Sequence, residues 1–445
     1  MAASLGSSEH SPFVVDLIAA ERGFDFADPV AIGIVFCGFA VFAAIGALSH
    51  QHERAFSASI IYLGLGAGAA VVIQLVDVGW VDPIDDHELL ERLTELAVVI
   101  ALFATGLKLD RPLTLGSWAG VIRLLAIAMP LTIAALALFG TQVMGLSLGA
   151  AIVLGAILAP TDPVLAGDIG VGPPGDEEEH EPNFSITGEA GLNDGLALPF
   201  LFLGLFVADQ GGSAWAGEWV LADVLYAVTV AVVIGAAIGY GTAALAVALR
   251  GRDLFAKAFD PWLAIPTVLC IYGLTEVAGA YGFVAAFVGG VAFRRFEHGH
   301  RYNRSVHDGA ETVEKFGELA VVLVLGSMLT LAGLGAPGLE GWLLVPILLL
   351  LIRPAAVVVA LAFSTQLSAE RAFVGWFGVR GIGSLYYAAL AVGSGALSEA
   401  EMEAVVWTAV AAVVVSIVAH GVTAAPLAQR LLPADALDAG IPNRS

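Results

Sequence analysis

The chain has 445 residues, of which 58% are hydrophobic and 13% are charged, and its formal net charge is −22. A soluble domain of this size would expose much of this apolar sequence to water, and a nucleic-acid-binding protein would need a basic face that this composition lacks. The composition therefore excludes a nucleic-acid partner and indicates a protein whose main partner is the lipid bilayer.

Apolar runs of about twenty residues predict the membrane-spanning elements, because a helix of that length crosses roughly 30 Å of hydrocarbon. Lipid offers no hydrogen bonds to the backbone, so each run is expected to be helical, and no alternation of apolar and polar residues suggests a strand. We therefore expect an all-α integral membrane protein with about thirteen transmembrane helices. The predicted spans cover residues 28–48, 57–79, 90–108, 117–140, 145–168, 184–208, 219–249, 261–279, 281–294, 315–335, 341–364, 371–393 and 402–429.

Basic residues orient these spans, since short cytoplasmic loops are enriched in Lys and Arg. The loops that carry them follow odd-numbered spans, and the loops after even-numbered spans are nearly free of them. We expect a multi-pass protein of the cell membrane with its amino terminus outside and its carboxyl terminus in the cytoplasm. Residues 1–27 would form an extracellular segment, 28–429 the transmembrane domain and 430–445 a short cytoplasmic tail.

The number of spans also predicts internal symmetry. The spans divide into two six-helix halves joined by the seventh helix as a linker, and a shift of seven spans reverses the direction of crossing. The halves are therefore expected to be inverted repeats. Secondary transporters with this architecture bind their substrates near the bilayer midplane, between broken helices.

The first predicted break lies in the fifth span, at Ala159-Pro160-Thr161-Asp162-Pro163. Each proline lacks an amide proton and clashes with the carbonyl four residues earlier, which frees the carbonyls of Ala156 and Ala159. Unwound backbone at membrane depth is tolerated only where it lines a cavity or is buried in protein. The freed carbonyls, the Thr161 hydroxyl and the Asp162 carboxylate are hard oxygen ligands that suit an alkali cation.

The sixth span carries Glu189, Asn193 and Asp194 within apolar sequence. Glu189 and Asn193 share a helix face, and Asp194 lies about 100° further round. A charge at the bilayer centre costs about 2.5–3.5 kcal/mol, so each acid is a functional candidate. Asp194 can lose a proton and bind a cation in its place.

Two arginines mark the eleventh and twelfth spans. Arg353 is the sole charge in residues 341–363, and because arginine stays protonated it requires a buried anion, for which Glu189 is the best candidate. Arg380 lies among glycines seven spans after the first break, where an inverted repeat places the second broken helix. Its guanidinium is expected to compensate the carbonyl ends of half-helices.

Other sequence features are less specific. His298, His300 and His307 are expected to lie in a cytoplasmic loop, where they either remain solvated, sense pH or bind a metal. The acidic loops either solvate the surface or adapt it to a salt-rich medium, as in halophilic proteins. The sequence shows no zinc-protease, Walker or serine-triad motif, so we expect no enzymatic activity and no organic cofactor.

These residues together resemble the NhaP-type sodium/proton antiporters, the prokaryotic relatives of sodium/proton exchangers. The resemblance extends over nearly the whole chain and rests on the order of its motifs and the spans that carry them. The motifs are Leu102-Phe103-Ala104-Thr105-Gly106-Leu107, Thr161-Asp162-Pro163, Glu189 with Asn193-Asp194, Arg353-Pro354, and Gly375-Trp376 with Arg380-Gly381.

The resemblance implies an alternating-access antiporter that forms a homodimer. Its dimerisation part would consist mainly of spans in 28–108 and 261–335, and its moving core of spans in 117–208 and 341–429, where the two broken helices cross. In such a protein Asp194 carries proton and cation alternately, and Asp162 and Thr161 assist in binding sodium.

The resemblance also assigns the remaining polar residues. Asn193 and Arg380 would stabilise the crossing, and Glu189 and Arg353 would form a structural ion pair. The Asn-Asp pair goes with electroneutral exchange of one sodium ion for one proton, which serves pH homeostasis and sodium tolerance.

Two departures from the family pattern leave the cation open. Ala190 stands where sodium-transporting members often have a serine ligand, and Ala104 stands where some carry an acid. Both remove oxygens, so a potassium/proton antiporter is the first alternative. A cation channel, which would pass current at fixed pH, and a sodium-coupled symporter, which needs dispersed polar residues in a substrate pocket, are further alternatives.

Overall fold

The computed structural model describes residues 58–75, 79–163, 171, 180–210, 213–252, 257–296, 303–364 and 366–431, and in addition residues 35, 38 and 42. Within these ranges every regular element is a helix, which confirms the predicted all-α fold class. The predicted extracellular segment 1–27, nearly all of the predicted span 28–48 and the tail from residue 432 lie outside the described residues.

The described helices follow the predicted spans closely from residue 58 onward. In chain order they are α1 (Ala58–Leu75), α2 (His87–Lys108), α3 (Ala119–Gln142), α4 (Leu148–Leu158), α5 (Glu181–Asp209), α6 (Ala216–Arg250), α7 (Ala264–Val277), α8 (Gly282–Phe296), α9 (Asn303–Ser327), α10 (Leu331–Gly335), α11 (Gly338–Ala360), α12 (Ser368–Trp376), α13 (Ile382–Ser394) and α14 (Glu399–Leu431).

Several of these helices match the dimensions of a bilayer. In the described part of the chain, 7 helical stretches are long and apolar enough to cross a membrane, and α4 and α13 are shorter apolar helices. Large apolar side chains such as Leu138, Val233 and Phe363 point outward, as expected where lipid replaces water. The structure thus confirms a multi-pass membrane protein, whereas the full number of spans and the inverted repeat stay predictions.

The helices α3 and α11 share one irregularity. A π turn covers Leu124–Ala128 in α3 and Leu348–Ile352 in α11, and a proline follows each turn, Pro130 and Pro354 respectively. A proline donates no backbone hydrogen bond, and a local π turn is one way in which a membrane helix re-satisfies the freed backbone groups. The two helices correspond to the predicted fourth and eleventh spans, which the expected symmetry would relate.

Small residues let the helices around the site approach closely. A Cβ atom added at Gly106 of α2 would lie 2.8 Å from the backbone N of Val291 and 3.0 Å from the Cα of Gly290, both on α8. Membrane helices pack in this way because lipid provides no hydrophobic driving force between them.

The helix α8 also packs against α5 and α6, and α4, α13 and α14 pack against one another. The helix α5, which contacts both α4 and α8, joins these two groups.

The prediction for the span at 315–335 was wrong at both ends. The helix α9 already begins at Asn303 and ends at Ser327, and Thr330 then caps α10 by accepting a hydrogen bond from the backbone N of Gly333 at 3.0 Å. Glu314 and Glu318 in the first half of α9 are buried, with exposed fractions of 3% and 6%. Hydropathy alone cannot distinguish polar side chains that face the protein interior from a solvated loop, so it assigned the turns before residue 315, including Glu314, to a loop.

Candidate ion-binding site

Two non-helical segments cross at the centre of the site. The helix α4 ends at Leu158, α12 ends at Trp376 and α13 begins at Ile382, and the residues 159–163 and 377–381 are not helical. The backbone N of Asp162 donates to the carbonyl of Val379 at 2.8 Å, so the two interruptions are hydrogen-bonded to each other. The predicted break in the twelfth span is confirmed, and in the fifth span the helix ends where the prolines begin. The remainder of that span, 164–168, lies outside the described residues.

Arg380 holds the crossing together. Its Nε donates to the carbonyl of Leu158 at 2.8 Å, and its Nη1 donates to the carbonyl of Gly378. Its backbone N donates to Oγ of Ser416 on α14 at 2.8 Å. The guanidinium is fully buried at the carboxyl end of α4, where the partial negative charge of a helix terminus favours a cation.

The last two carbonyls of α4 accept hydrogen bonds from Arg380 and from Ser384 of α13. Ser384 Oγ donates to the carbonyl of Ile157 at 2.8 Å, next to the Leu158 carbonyl that Arg380 uses. The sequence had pointed to the carbonyls of Ala156 and Ala159. The helix ends at Leu158, and the Asp162 N–H donates to Val379 across the crossing. The carbonyls of Ile157 and Leu158, in the last turn of α4, therefore need partners from outside the helix.

Asp162 lies at the positive end of α13. Its Oδ2 accepts a hydrogen bond from the backbone N of Ile382, the first residue of α13, at 2.7 Å. An unpaired N–H group and the helix dipole both stabilise a negative charge in this position. The half-helix that follows the second break therefore stabilises a negative charge on the buried Asp162 carboxylate.

Asp194 faces the same turn of α13 from α5. A Cβ atom added at Gly383 would lie only 2.6 Å from Asp194 Oδ1, so the carboxylate lies directly against the backbone of Gly383. The hydroxyl of Tyr387 donates to the carbonyl of Asp194. In the part of the chain that the structure describes, no side chain or backbone N–H donates to the buried Asp194 carboxylate. Since Ile382 and Gly383 are adjacent, the carboxylates of Asp162 and Asp194 flank one turn.

Asn193 connects α5 to the first break. Its Nδ2 donates to Oγ1 of Thr161 at 2.7 Å, and both side chains are buried. Asn193 Oδ1 has no hydrogen-bond partner among the described residues. The structure thus brings together Thr161, Asp162, Asn193, Asp194 and Arg380 at one place, and their roles in binding stay predictions.

Glu189 and Arg353 form a separate buried ion pair. Two parallel hydrogen bonds of 2.6 Å join Nη1 and Nη2 of Arg353 to the two carboxylate oxygens of Glu189. Each side chain is 2% exposed, so water does not screen the pair. Bidentate geometry gives the strongest form of such a contact. The pair fixes α5 to the segment of α11 that follows the π turn.

Several residues of the site were not predicted from the sequence. Ser384, Ser416 and Tyr387 bind the broken segments, and hydroxyl groups in apolar helices give no signal as strong as a charge. Two further buried acids, Glu314 and Glu318, lie on α9 and were not among the predicted site residues. The spacing of 307, 311, 314 and 318, which is that of one helix face, was the available signal.

The expectation that His307 lies in a cytoplasmic loop was also wrong. His307 lies on α9 and its side chain is buried, because the helix begins before the hydropathy rises. His298 and His300 lie outside the described residues.

Known proteins with similar sequences include cation/proton antiporters. The family model described as sodium/hydrogen exchanger, transmembrane, matches residues 30–430. The chain is 25% identical over 346 residues to the Na(+)/H(+) antiporter 2 of Zygosaccharomyces rouxii, an alignment that covers 74% of this chain and 42% of that protein. It is 26% identical over 288 residues to the K(+)/H(+) antiporter NhaP of Alkalimonas amylolytica, covering 64% of this chain and 48% of that protein. The chain thus spans less than half the length of these two relatives.

The fold has a counterpart among solved structures. The sodium proton antiporter MjNhaP1 from Methanocaldococcus jannaschii superimposes with a TM-score of 0.72 at 16% identity, over 91% of this chain and 99% of that chain. At this identity the similarity establishes the fold alone. The family model covers most of the chain and includes every residue of the crossing. The protein therefore belongs to the sodium/hydrogen exchanger family.

Proposed function

We propose that the protein exchanges sodium ions for protons across the cell membrane by alternate binding at Asp194. The observation that carries this proposal is the pair of buried carboxylates, Asp162 and Asp194, which flank the first turn of α13 where the two non-helical segments cross. Sodium prefers oxygen ligands, and the carboxylates together with the Thr161 hydroxyl offer them at one place.

The two carboxylates differ in what neutralises them. Asp162 accepts the Ile382 N–H at the positive end of α13, which suits it to remain an ionised ligand. The Asp194 carboxylate receives no hydrogen bond from the described residues, and a bare buried charge is strongly unfavourable. Either a proton or a cation must therefore accompany Asp194, and competition between them couples the two fluxes.

This arrangement supports electroneutral exchange. Asn193 donates to Thr161 and cannot titrate, so Asp194 is the group whose protonation changes through the cycle. One carboxylate then exchanges one proton for one sodium ion, and no net charge crosses the membrane.

The proposal extends to the protein as a whole. We place the dimerisation part of a homodimer in 28–108 and 261–335, and the core that moves during alternating access in 117–208 and 341–429. The amino terminus would lie outside and the carboxyl terminus in the cytoplasm. The protein would act as a transporter and not as an enzyme, with no organic cofactor and no nucleic-acid partner.

Potassium/proton exchange is the second candidate function. The relative from Alkalimonas amylolytica is named a K(+)/H(+) antiporter, and the buried Ala104 and Ala190 contribute no side-chain oxygen to the helices next to the crossing. Fewer protein oxygens weaken discrimination between cations, since selectivity depends on the number and field strength of the ligands.

Proteoliposomes containing the purified protein and a lumenal pH dye test both candidates. A pH gradient is imposed, and sodium, potassium, lithium or choline chloride is added outside. We expect sodium to change the lumenal pH, and we expect no response to choline or in protein-free vesicles. A faster response to potassium than to sodium would select the second candidate, and no response to any of the three alkali cations would contradict cation/proton exchange.

A further inference from the structure

A second group of potential ligands lies on α9, away from the helix crossing. His307, Asp308 and Glu311 form what we name the His307 cluster: one donor atom from each residue lies within 4.8 Å of the donors of the other two. His307 Nδ1 is 3.7 Å from Asp308 Oδ1 and 4.0 Å from Glu311 Oε2. These residues occupy consecutive turns of the first part of α9.

The imidazole of His307 makes no close hydrogen bond to the described residues. Its side chain is 1% exposed, yet neither Nδ1 nor Nε2 has a hydrogen-bond partner among the described residues. A buried polar group without a hydrogen bond is unfavourable, so an imidazole that faces two carboxylates is suited to bind a cation.

We propose that the His307 cluster binds a divalent transition-metal cation of the zinc class. Ligands bonded at about 2.0–2.2 Å in a tetrahedron lie about 3.4 Å apart. The separations of 3.7 Å and 4.0 Å therefore require only a small contraction of the side chains around the ion. An imidazole nitrogen favours zinc, cobalt or nickel over calcium and magnesium, which prefer oxygen alone.

The neighbouring charges are compatible with this site and limit its strength. Glu311 uses Oε1 for the Lys315 ammonium at 2.9 Å, so Oε2 is the oxygen directed to the metal. The charge of Lys108, on α2, also acts on His307 and Glu311. Two lysines offset the two carboxylates, and we expect weaker binding than at a structural zinc site with four protein ligands. The exposed Asp308 provides access from solvent.

Zinc binding to the purified full-length protein without a histidine tag tests this proposal. We expect one Zn²⁺ per chain in equilibrium dialysis, with a first shell of nitrogen and oxygen by X-ray absorption. Asp308→Asn and Glu311→Gln should each weaken binding by about tenfold or more, since even indirect partners of metal ligands carry effects of that size. Asp308 is exposed, so its variant should fold normally, which melting temperatures would check.

His87→Ala is the matched control. His87 lies at the start of α2 and its Nδ1 is 2.9 Å from the carbonyl of Ile84, so its removal should leave zinc binding unchanged. No zinc binding by the wild-type protein, equal binding by the Asp308 and Glu311 variants, or a zinc–sulfur shell that assigns the ion to cysteine would overturn the proposal. None of these outcomes depends on cation/proton exchange, which the proteoliposome assay tests separately.

Discussion

At the scale of single residues, the sequence indicated the charged members of the crossing far better than the neutral ones. Asp162, Asp194 and Arg380 stand out because a charge in an apolar run is costly unless it has a function or a partner. Ser384, Ser416 and Tyr387 do not stand out, because a hydroxyl group is inexpensive in a membrane helix when it bonds a nearby carbonyl. Their contacts depend on which carbonyls the broken helices expose, and only the folded chain determines that.

The Glu189–Arg353 pair gives the first prediction. Glu189→Ala or Arg353→Ala should destabilise the protein by about 3–5 kcal/mol, because each leaves one charge uncompensated in the protein interior. The double variant should be less impaired than the sum of the two single variants, since neither charge is then stranded. Melting temperatures in detergent measure this.

Arg92→Ala is the control for the ion pair. Arg92 pairs with Glu95 at 2.8 Å but is 72% exposed, so its loss should change stability by less than about 1 kcal/mol. If both buried single variants melted at the wild-type temperature, the structural role of Glu189 and Arg353 would be refuted.

At the scale of the elements, proline and glycine positions predicted where the two helices break, because those residues change the backbone directly. The direction in which each non-helical segment leaves its helix was not predictable. It depends on the hydrogen bond between the Asp162 N–H and the Val379 carbonyl across the crossing. The start of α9 was missed for a related reason: a hydropathy pattern records how polar a residue is, and not whether its side chain faces the interior.

The close approach of Gly383 to Asp194 gives the second prediction. Gly383→Ala should abolish or strongly reduce exchange, because the added Cβ would lie 2.6 Å from Asp194 Oδ1 and displace the carboxylate. Stability need not fall in parallel, since alanine is favoured over glycine in helices by about 1 kcal/mol. Exchange rate, apparent cation affinity and melting temperature should be measured together.

Gly393→Ala on the same helix is the matched control. Its added Cβ would meet the His87 ring at 3.4 Å, an ordinary contact, so exchange should remain near the wild-type rate. Wild-type exchange by Gly383→Ala would show that the Asp194 carboxylate does not need its place against α13.

At the scale of the whole molecule, the fold was predictable because lipid leaves few options for a hydrophobic chain. Apolar run lengths gave nearly every described helix, and the motifs gave the family that the comparison then showed. The inverted repeat, the homodimer and the orientation in the membrane stay predictions, because they concern symmetry, a second chain and the bilayer.

The coupling of the two fluxes gives the third prediction. With one titrating carboxylate in the cycle, sodium-driven proton flux should not depend on membrane potential. Liposomes in which potassium and valinomycin set the potential would test this, with sodium as the substrate. A rate that rises strongly with the imposed potential would rule out one-for-one exchange.

In the proposed mechanism, Asp194 carries the proton and the cation in turn. The most direct measurement is sodium-driven proton flux in proteoliposomes containing wild-type protein, Asp194→Asn or, as the control on the same helix, Asp209→Asn, whose residue is exposed at the end of α5. We predict that Asp194→Asn folds, retains its melting temperature and shows no flux above protein-free vesicles, while Asp209→Asn matches the wild type. Undiminished flux through Asp194→Asn would contradict the account.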